Sequence, residues 1–221
     1  VLVNCLFSGN VGTTRAGAME IFRVTATVVN CTMTLNSTPS SGSGGLSVDA
    51  ASPTIVNCII YANTNSSGAG ATSQIALLGS ATPAVSYTTV QGGYAGVGNV
   101  SSDPLFAQAS GEDTIPGTAD DSGRLLSGAP ANDSGAQAPL VNLGVFTDLV
   151  GSPRFREDPL APNTGLGAAP LPDRGAHEFR CRADQNANGS VTVQDLFDFV
   201  NAYFAGDLSA DINGSGTVTV Q

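Results

Sequence analysis

Leu2-Val-Asn-Cys-Leu-Phe-Ser-Gly-Asn10 returns as Val28-Val-Asn-Cys-Thr-Met-Thr-Leu-Asn36 and again as Ile55-Val-Asn-Cys-Ile-Ile-Tyr-Ala-Asn63, without a gap in any copy. The cysteines of the three copies are 26 and 27 residues apart, and a degenerate fourth copy occupies residues 84–92. A second segment repeats ahead of the later copies, at residues 17–24, 44–51 and 73–80. Each repeat therefore contains two short β-type runs separated by bends rich in Gly, Ser and Asn.

The alternation of apolar and polar residues in these runs predicts which side chains face inward. One expected inward set is Val3, Cys5, Phe7, Val29, Cys31, Met33, Val56, Cys58 and Ile60. The other is Met19, Ile21, Leu46, Val48, Ile75 and Leu77. A period of about 27 residues without a helical pattern predicts an all-β parallel solenoid, whose coils bury their inner faces by stacking. Because the first coil would otherwise expose its inner face, we expect further coils upstream of Val1.

These repeats resemble the right-handed parallel β-helix of the pectate-lyase-like superfamily of secreted bacterial proteins. The resemblance covers about residues 1–92. It implies the fold and leaves the activity open, because the superfamily contains both polysaccharide lyases and glycoside hydrolases.

Two kinds of side chain recur at fixed positions of the repeat. An asparagine ends each copy, just after its strand and at a bend: Asn10, Asn36 and Asn63. These residues either form a hydrogen-bonded ladder from coil to coil or are simple turn residues. Cys5, Cys31 and Cys58 stack on the inner face. Coils about 4.8 Å apart place parallel Cβ atoms farther apart than the roughly 3.8 Å of a disulfide. We therefore expect these thiols to be reduced and buried.

The chain changes character after residue 101. It contains Ser102-Asp-Pro-Leu-Phe-Ala107, Arg124-Leu-Leu-Ser-Gly-Ala-Pro-Ala-Asn-Asp-Ser-Gly135, Thr147-Asp-Leu-Val-Gly-Ser-Pro-Arg-Phe155 and Asp173-Arg-Gly-Ala-His-Glu-Phe179. These four motifs resemble, in order, the end of many bacterial secreted β-helix proteins, with Asn132 replacing an apolar residue and His177 an aromatic one. The resulting division is residues 1–110 for the coils, 111–179 for the terminal coil and closing loops, and 180–221 for a further domain.

Acidic residues recur in the closing segment. Asp133, Asp148, Asp173 and Glu178 lie in the four motifs, and we interpret them as acceptors for loop N–H groups rather than as catalytic groups. His177 has no Ser or Cys partner in a recognisable triad, which favours a structural role. The acidic loop at residues 111–121 is interpreted as solvated, although Asp113, Asp120 and Asp121 leave ion binding open.

A calcium-loop pattern begins at Asp184. Its oxygen-bearing residues have the spacing of an EF-hand loop, with Gly189 at the sixth position. They are Asp184, Asn186, Asn188, Ser190, Thr192 and Asp195. Ser190 would contribute its backbone carbonyl. Apolar residues at helical spacing follow and end at Gly206. The pattern then returns at Asp211, Asn213, Ser215, Thr217 and Thr219, without a twelfth position. We expect Ca²⁺ at modest affinity in the first loop, because the neutral ligands lower the charge of the site.

The duplicated loop resembles a dockerin, in particular the type that ends secreted β-helix proteins with a terminal Gly-Cys. The resemblance covers residues 181–221, here truncated, with Asp195 instead of Glu at the twelfth position, as is usual in dockerins. It implies a small α-helical, EF-hand-like domain with a cohesin-like or cell-surface anchoring partner. It also implies that Cys181 pairs with a terminal Cys in the intact protein and is unpaired in this chain.

The composition restricts the classes of partner. The chain carries a net charge of −10, and its eight basic residues are all Arg. Nucleic acid is therefore excluded as a partner, and no apolar stretch is long enough to span a membrane. An acidic chain of this kind suits calcium and extracellular solvent, so we expect a secreted or cell-surface protein.

Three functions remain open for the coils: a structural or anchored surface protein, a carbohydrate-binding or adhesin face, or an enzyme. A lyase would use calcium with an Arg or Lys base, and residues 1–100 contain only Arg15 and Arg23. A hydrolase needs two carboxylates, for which Glu20 and Asp49 are weak candidates about 8 Å apart by strand geometry. An active site lying partly in missing coils would also fit the sequence. A non-catalytic surface protein, structural or carbohydrate-interacting and attached through its dockerin-like end, is favoured, because outward carboxylates are ordinarily solvated.

Overall fold

The structure is a computed structural model that describes residues 1–181, 183–186, 191–207, 210 and 218. The chain divides into two compact units, Val1–Phe179 and Arg180–Gln221. The first unit contains the helices α1 (Ala71–Gln74) and α2 (Gln137–Leu143). Its strands are β1 (Leu2–Val3), β2 (Leu6–Ser8), β3 (Met19–Phe22), β4 (Thr27–Val29), β5 (Thr32–Thr34), β6 (Leu46–Asp49), β7 (Thr54–Val56), β8 (Ile59–Tyr61), β9 (Ile75–Leu78), β10 (Ala84–Ser86) and β11 (Thr89–Val90).

Successive coils pair their strands in parallel and form three sheets. The orders are β1-β4-β7-β10 for the first sheet, β2-β5-β8-β11 for the second and β3-β6-β9 for the third. Met19 lies opposite Leu46, and Leu46 lies opposite Ile75, as the sequence repeat predicts. The predicted parallel β-solenoid is thereby confirmed, with about three turns.

The first sheet corrects the expected inner face. Leu2, Val28, Ile55 and Val85 pack into the core or against it. Val3, Val29 and Val56 instead belong to a separate cluster outside the solenoid, so their expected inward position is wrong. The cause is the Asn that follows each of these valines and has φ of 54° at Asn4, 48° at Asn30 and 56° at Asn57. Because this left-handed residue turns the chain, the alternation does not continue across it.

The last coil departs from the repeat in two ways. Val85 pairs with Ile55, so the fourth copy is shifted by one residue from the alignment over 84–92. Leu77, expected inside, is 47% exposed, since β9 is an edge strand of its sheet.

The asparagines form a ladder along the stack, which confirms the first of the two interpretations. The Asn36 side-chain oxygen accepts hydrogen bonds from the backbone N and Nδ2 of Asn10, at 3.0 and 2.9 Å. Asn63 accepts the same pair of bonds from Asn36, at 3.1 and 2.8 Å. The ladder ends at the buried Gln74 of α1, whose Oε1 takes the place of a fourth Asn oxygen.

A parallel ladder connects the cysteines, and all four cysteines of the chain are free thiols. The backbone N of Cys5 donates to Cys31 Sγ, and that of Cys31 donates to Cys58 Sγ. In the fourth coil Thr88 replaces the cysteine, and its Oγ1 accepts from Cys58 N at 3.2 Å. The contact with Cys58 and burial raise the pKa of the Cys31 thiol. The expectation of reduced ladder thiols is confirmed, and that of burial holds for Cys31 and Cys58, whereas Cys5 is half-buried. The raised pKa makes the Cys31 thiol a poor nucleophile.

Residues 102–179, which we call the strap, lie along the outside of the stack. Side-chain nitrogens of Asn4, Asn30 and Asn57 donate to strap carbonyls at 2.6, 2.7 and 2.8 Å. Arg174 of the strap reaches Thr89 in the last coil. The segment expected to contain a terminal coil therefore contacts every coil.

The second unit contains the helix α3 (Val193–Ala205), which confirms the helix expected before Gly206. Asp195 accepts a hydrogen bond from the backbone N of Thr192, which caps the first turn of the helix. Gly206 ends the helix with φ of 68°. Among the described residues, no helix has the length and apolar character needed to cross a bilayer.

Candidate functional site

The outer faces of the three sheets differ in what covers them. Val29 and Val56 of the first sheet pack against Ala136 and Leu140 of the strap. On the second sheet, Ile59 packs against strap residues Leu125, Ala129 and Ala131. On the third sheet, which we call the bare face, the outer side chains Phe22 and Leu78 are 47% and 39% exposed. The bare face is therefore the solenoid surface that remains accessible to a ligand.

A groove runs along the bare face and is formed by two depressions that share Thr14 and Arg15. The smaller depression, of about 350 Å³, is lined by the first coil and includes Glu20. The larger depression, of about 840 Å³, includes Asp49, Leu78 and Tyr94. We call the two together the bare groove. It extends across the coils, polar at the Arg15 end and more apolar near Tyr94.

Three charged side chains meet at the polar end of the groove. Nη1 of Arg15 lies 3.0 Å from Glu20 Oε1 and also contacts Asp49 Oδ2. Glu20 and Asp49 are brought together because Glu20 faces Ser47 in the next coil, and Asp49 is two residues farther along that strand. Arg15 comes from the bend before β3 and reaches across two coils.

This arrangement differs from the pair of carboxylates that a hydrolase requires. An inverting enzyme leaves room for a water between carboxylates roughly 6.5–9.5 Å apart, and the acid lies in surroundings that keep it protonated. Here one guanidinium nitrogen contacts both carboxylates and occupies the space between them. Glu20 and Asp49 are thus adjacent, as expected, in an arrangement suited to hydrogen bonding.

The described part of the first calcium loop is partly preorganised. Asp184 and Asp195, its first and twelfth positions, are 1% and 2% exposed. The backbone N of Asn186 donates to Asp195 Oδ1 at 3.3 Å, so the twelfth position closes onto the third. Hydrogen bonding from the Thr192 backbone lowers the pKa of Asp195, which favours the ionised carboxylate.

Most of the predicted calcium ligands lie outside the described residues. These are Asn188, Ser190, Asp211, Asn213, Ser215, Thr217 and Thr219. Within the described residues, no group of three or more His, Cys, Asp or Glu forms a metal cluster. That finding does not bear on a loop whose ligand set is largely Asn, Ser and Thr, so the calcium site stays a prediction.

The acidic residues of the strap bind backbone N–H groups, as interpreted from the sequence. Asp173 accepts from the N of Asp133 at 2.7 Å and from the N of Phe179. Asp148 accepts from the N of Val150, Ser152 and Glu178. Glu178 accepts from the N of Asp173 and from Arg154 Nη1, at 3.0 and 3.4 Å. These buried carboxylates hold the strap together and do not line the bare groove.

Burial changes the protonation of this network. It raises the pKa of Asp173 to about 8 and that of Asp133 to about 6. It also raises the pKa of Glu178 well above its ordinary value. For His177, burial lowers the pKa to about 4, so the imidazole is neutral at pH 7. The burial of the side chain agrees with the structural role expected for His177.

Sequence reasoning missed the basic partners of the network. Arg154 is fully buried and donates to Gly175 O and Ala176 O, both at 2.9 Å, besides its contact with Glu178. Arg174 donates to Ser134 O and Gly98 O, at 3.1 and 2.9 Å. Both arginines lie inside the quoted strap motifs, which was the available signal. Tyr94 was also missed, because it follows the last repeat and belongs to no motif.

Comparison with known proteins adds no assignment: no protein-family profile, curated protein sequence or solved structure matches the chain significantly.

Proposed function

We propose that this chain belongs to a secreted or cell-surface protein whose solenoid binds a polysaccharide along the bare groove without cleaving it. The single observation that carries the proposal is the difference in covering: the strap occupies two sheets and leaves the third with a groove. The groove combines the half-buried ring of Tyr94 with charged and hydroxyl side chains. Sugars present both apolar ring faces and hydroxyl edges, and mixed linings of this kind suit such ligands.

The second unit is proposed to bind Ca²⁺ and to attach the protein to a cohesin-like or other surface partner. The loop spacing and the contact between Asn186 and Asp195 support this role. In calorimetry, calcium should bind, and Asp184→Ala should abolish that binding. The matched control Glu112→Gln, in the exposed loop of the first unit, should leave calcium binding unchanged. Equal binding by Asp184→Ala would refute the predicted site.

Retention on polysaccharides tests the function of the solenoid. The protein should be retained on an affinity gel containing a bound polysaccharide, and Tyr94→Ala should reduce retention at least fivefold while Tyr94→Phe preserves it. If Tyr94→Ala is folded, as judged by circular dichroism, and is retained as strongly as wild type, the binding site lies elsewhere. Absence of retention on every polysaccharide tested would overturn the proposal.

An enzyme of the lyase or hydrolase class is the alternative, with Glu20 and Asp49 as its acidic pair. Mixtures of the protein with each polysaccharide should be assayed for new reducing ends, the product of a hydrolase, and for unsaturated sugars, the product of a lyase. The proposal expects neither. Product that disappears in Glu20→Gln would establish the enzyme instead.

A further inference from the structure

The bare groove contains very little positive charge for a saccharide-binding surface. Among the described residues that line it, Arg15 is the one basic side chain. Its Nη1 already contacts Glu20 and Asp49, so the cluster as a whole carries an excess of negative charge. Recognition of a carboxylated sugar depends on unengaged guanidinium or ammonium donors, or on a cation. Among the described residues, the groove therefore offers a polyuronate no basic side chain that is not already engaged by carboxylates.

The surroundings strengthen this preference. The whole chain carries a net charge of −10 and contains no Lys. Arg23, the other basic residue of the coils, stacks on the ring of Phe22 with its guanidinium carbon 4.7 Å from the ring centre. A polyanion approaching the groove would meet two carboxylates and a repulsive long-range field. Neutral sugars are not repelled by the carboxylates or by the long-range field. Their hydroxyl groups can accept hydrogen bonds from Arg15 and donate hydrogen bonds to Glu20 and Asp49.

The shape of the groove points to an extended chain of sugars. Its lining crosses the coils of β3, β6 and β9, from Glu20 to Leu78. Neighbouring strands are about 4.8 Å apart, close to the advance per ring of an extended β-1,4-linked polysaccharide. Successive rings can thus meet successive coils, with hydroxyl edges at Arg15 and an apolar ring face near Tyr94.

Resting on the proposed function, we infer that the bare groove selects a neutral β-1,4-linked saccharide over the same saccharide carrying C6 carboxylates. Glu20 and Asp49 act as the residues that exclude the acid, and Arg15 positions them. The selectivity is electrostatic, so it weakens as salt screens the charges.

The test compares mannohexaose with the β-1,4-linked hexamer of mannuronic acid, which differs from it only in oxidation at C6. Calorimetry at low salt should show mannohexaose binding at least tenfold more tightly, with the ratio falling as salt is raised. The double variant Glu20→Gln/Asp49→Asn should bring the two ligands to within about threefold, because it removes the repulsion and frees Arg15. The control Glu112→Gln/Asp113→Asn changes the net charge equally in an exposed loop and should preserve the selectivity.

The possible outcomes separate this inference from the function on which it rests. Tighter binding of the acidic hexamer would overturn the inference and leave polysaccharide binding standing. Equal loss of selectivity in the control variant would also overturn it, since the effect would then come from overall charge. If folded protein binds neither these hexamers nor any other saccharide, both the inference and the proposed function fail.

Discussion

The covered sheets and the bare face use charged residues in opposite ways. On the covered side, Arg154 and Glu178 form an ion pair with both side chains fully buried. On the bare face, Arg15 is 48% exposed and its partner Glu20 36%. Buried charges depend on their partners because unpaired ones are strongly destabilising, whereas exposed ion pairs contribute little to stability. The comparison indicates that the strap holds the fold, and it supports the proposal that the bare face contacts a ligand.

The largest effect should come from breaking the buried pair. Arg154→Ala removes the buried partner of Glu178 and the donors to the carbonyls of Gly175 and Ala176, and should lower the free energy of unfolding by about 3–5 kcal/mol. Urea unfolding of wild type, Arg154→Ala and the exposed control Arg23→Ala measures the change in the free energy of unfolding. Equal stability of Arg154→Ala and Arg23→Ala would contradict the role assigned to the strap.

The buried carboxylates should also make stability depend on pH. Asp173 has a folded pKa of about 8 and an ordinary value of 3.8. Between these values the folded state binds more protons than the unfolded state, so stability falls as pH rises through this window. His177, with a folded pKa of about 4, has the opposite slope below pH 6.5 and none above it. The net fall should therefore be clearest between pH 6.5 and 8.

In that interval the loss should reach at most about 2 kcal/mol per carboxyl group. Asp173→Asn cannot titrate, so its stability should vary less between pH 6.5 and 8, with the remaining slope coming from Glu178. Thermal unfolding at a series of pH values gives both curves. A wild-type stability that does not fall from pH 6.5 to 8 would show that these groups are ionised in the fold.

The Asn ladder lies at the bend that leads from the covered second sheet to the bare face. Asn36 is fully buried and uses its amide in both directions, whereas Asn10 is exposed at one end. Asn36→Ala should cost about 2 kcal/mol, because it removes the acceptor of the Asn10 N and a donor to the O of Phe7. Asn10→Ala, the matched control, should cost clearly less. Equal costs would favour the simpler interpretation that these are turn residues.

The smallest effect on stability should come from the bare face. Arg15→Ala removes ion pairs whose guanidinium is 48% exposed, so its urea midpoint should stay near that of wild type. Saccharide binding should nevertheless weaken, and this separation is what distinguishes a ligand surface from a structural one. A large loss of stability in Arg15→Ala would assign the cluster to the fold.

The sequence predicts the solenoid and the register of its first three coils, because each of these coils repeats the same side chains. The alternation pattern predicts the wrong face of the sheet for Val29 and Val56. Which face they occupy depends on the backbone angle φ of the Asn that follows each of them, and the alternation of apolar and polar residues does not reveal that angle. The covering of the sheets could not be foreseen either. The strap does not repeat, and its contacts with Asn4, Asn30 and Asn57 join residues more than 75 positions apart.

The candidate site was foreseen only in part. Glu20 and Asp49 could be placed beside each other, since strand spacing and register follow from the repeat. Their joint contact with Arg15 depends on the bend before β3, whose conformation the repeat does not specify. Tyr94 reaches the groove through a loop that follows the last copy.

Hydrogen exchange measured by mass spectrometry, with and without mannohexaose, tests the central claim most directly. Saccharide binding should slow exchange in peptides covering β3, β6, β9 and Tyr94, and leave the strap and α3 unchanged. Protection confined to the strapped sheets or to the second unit, with none on the bare face, would contradict the account.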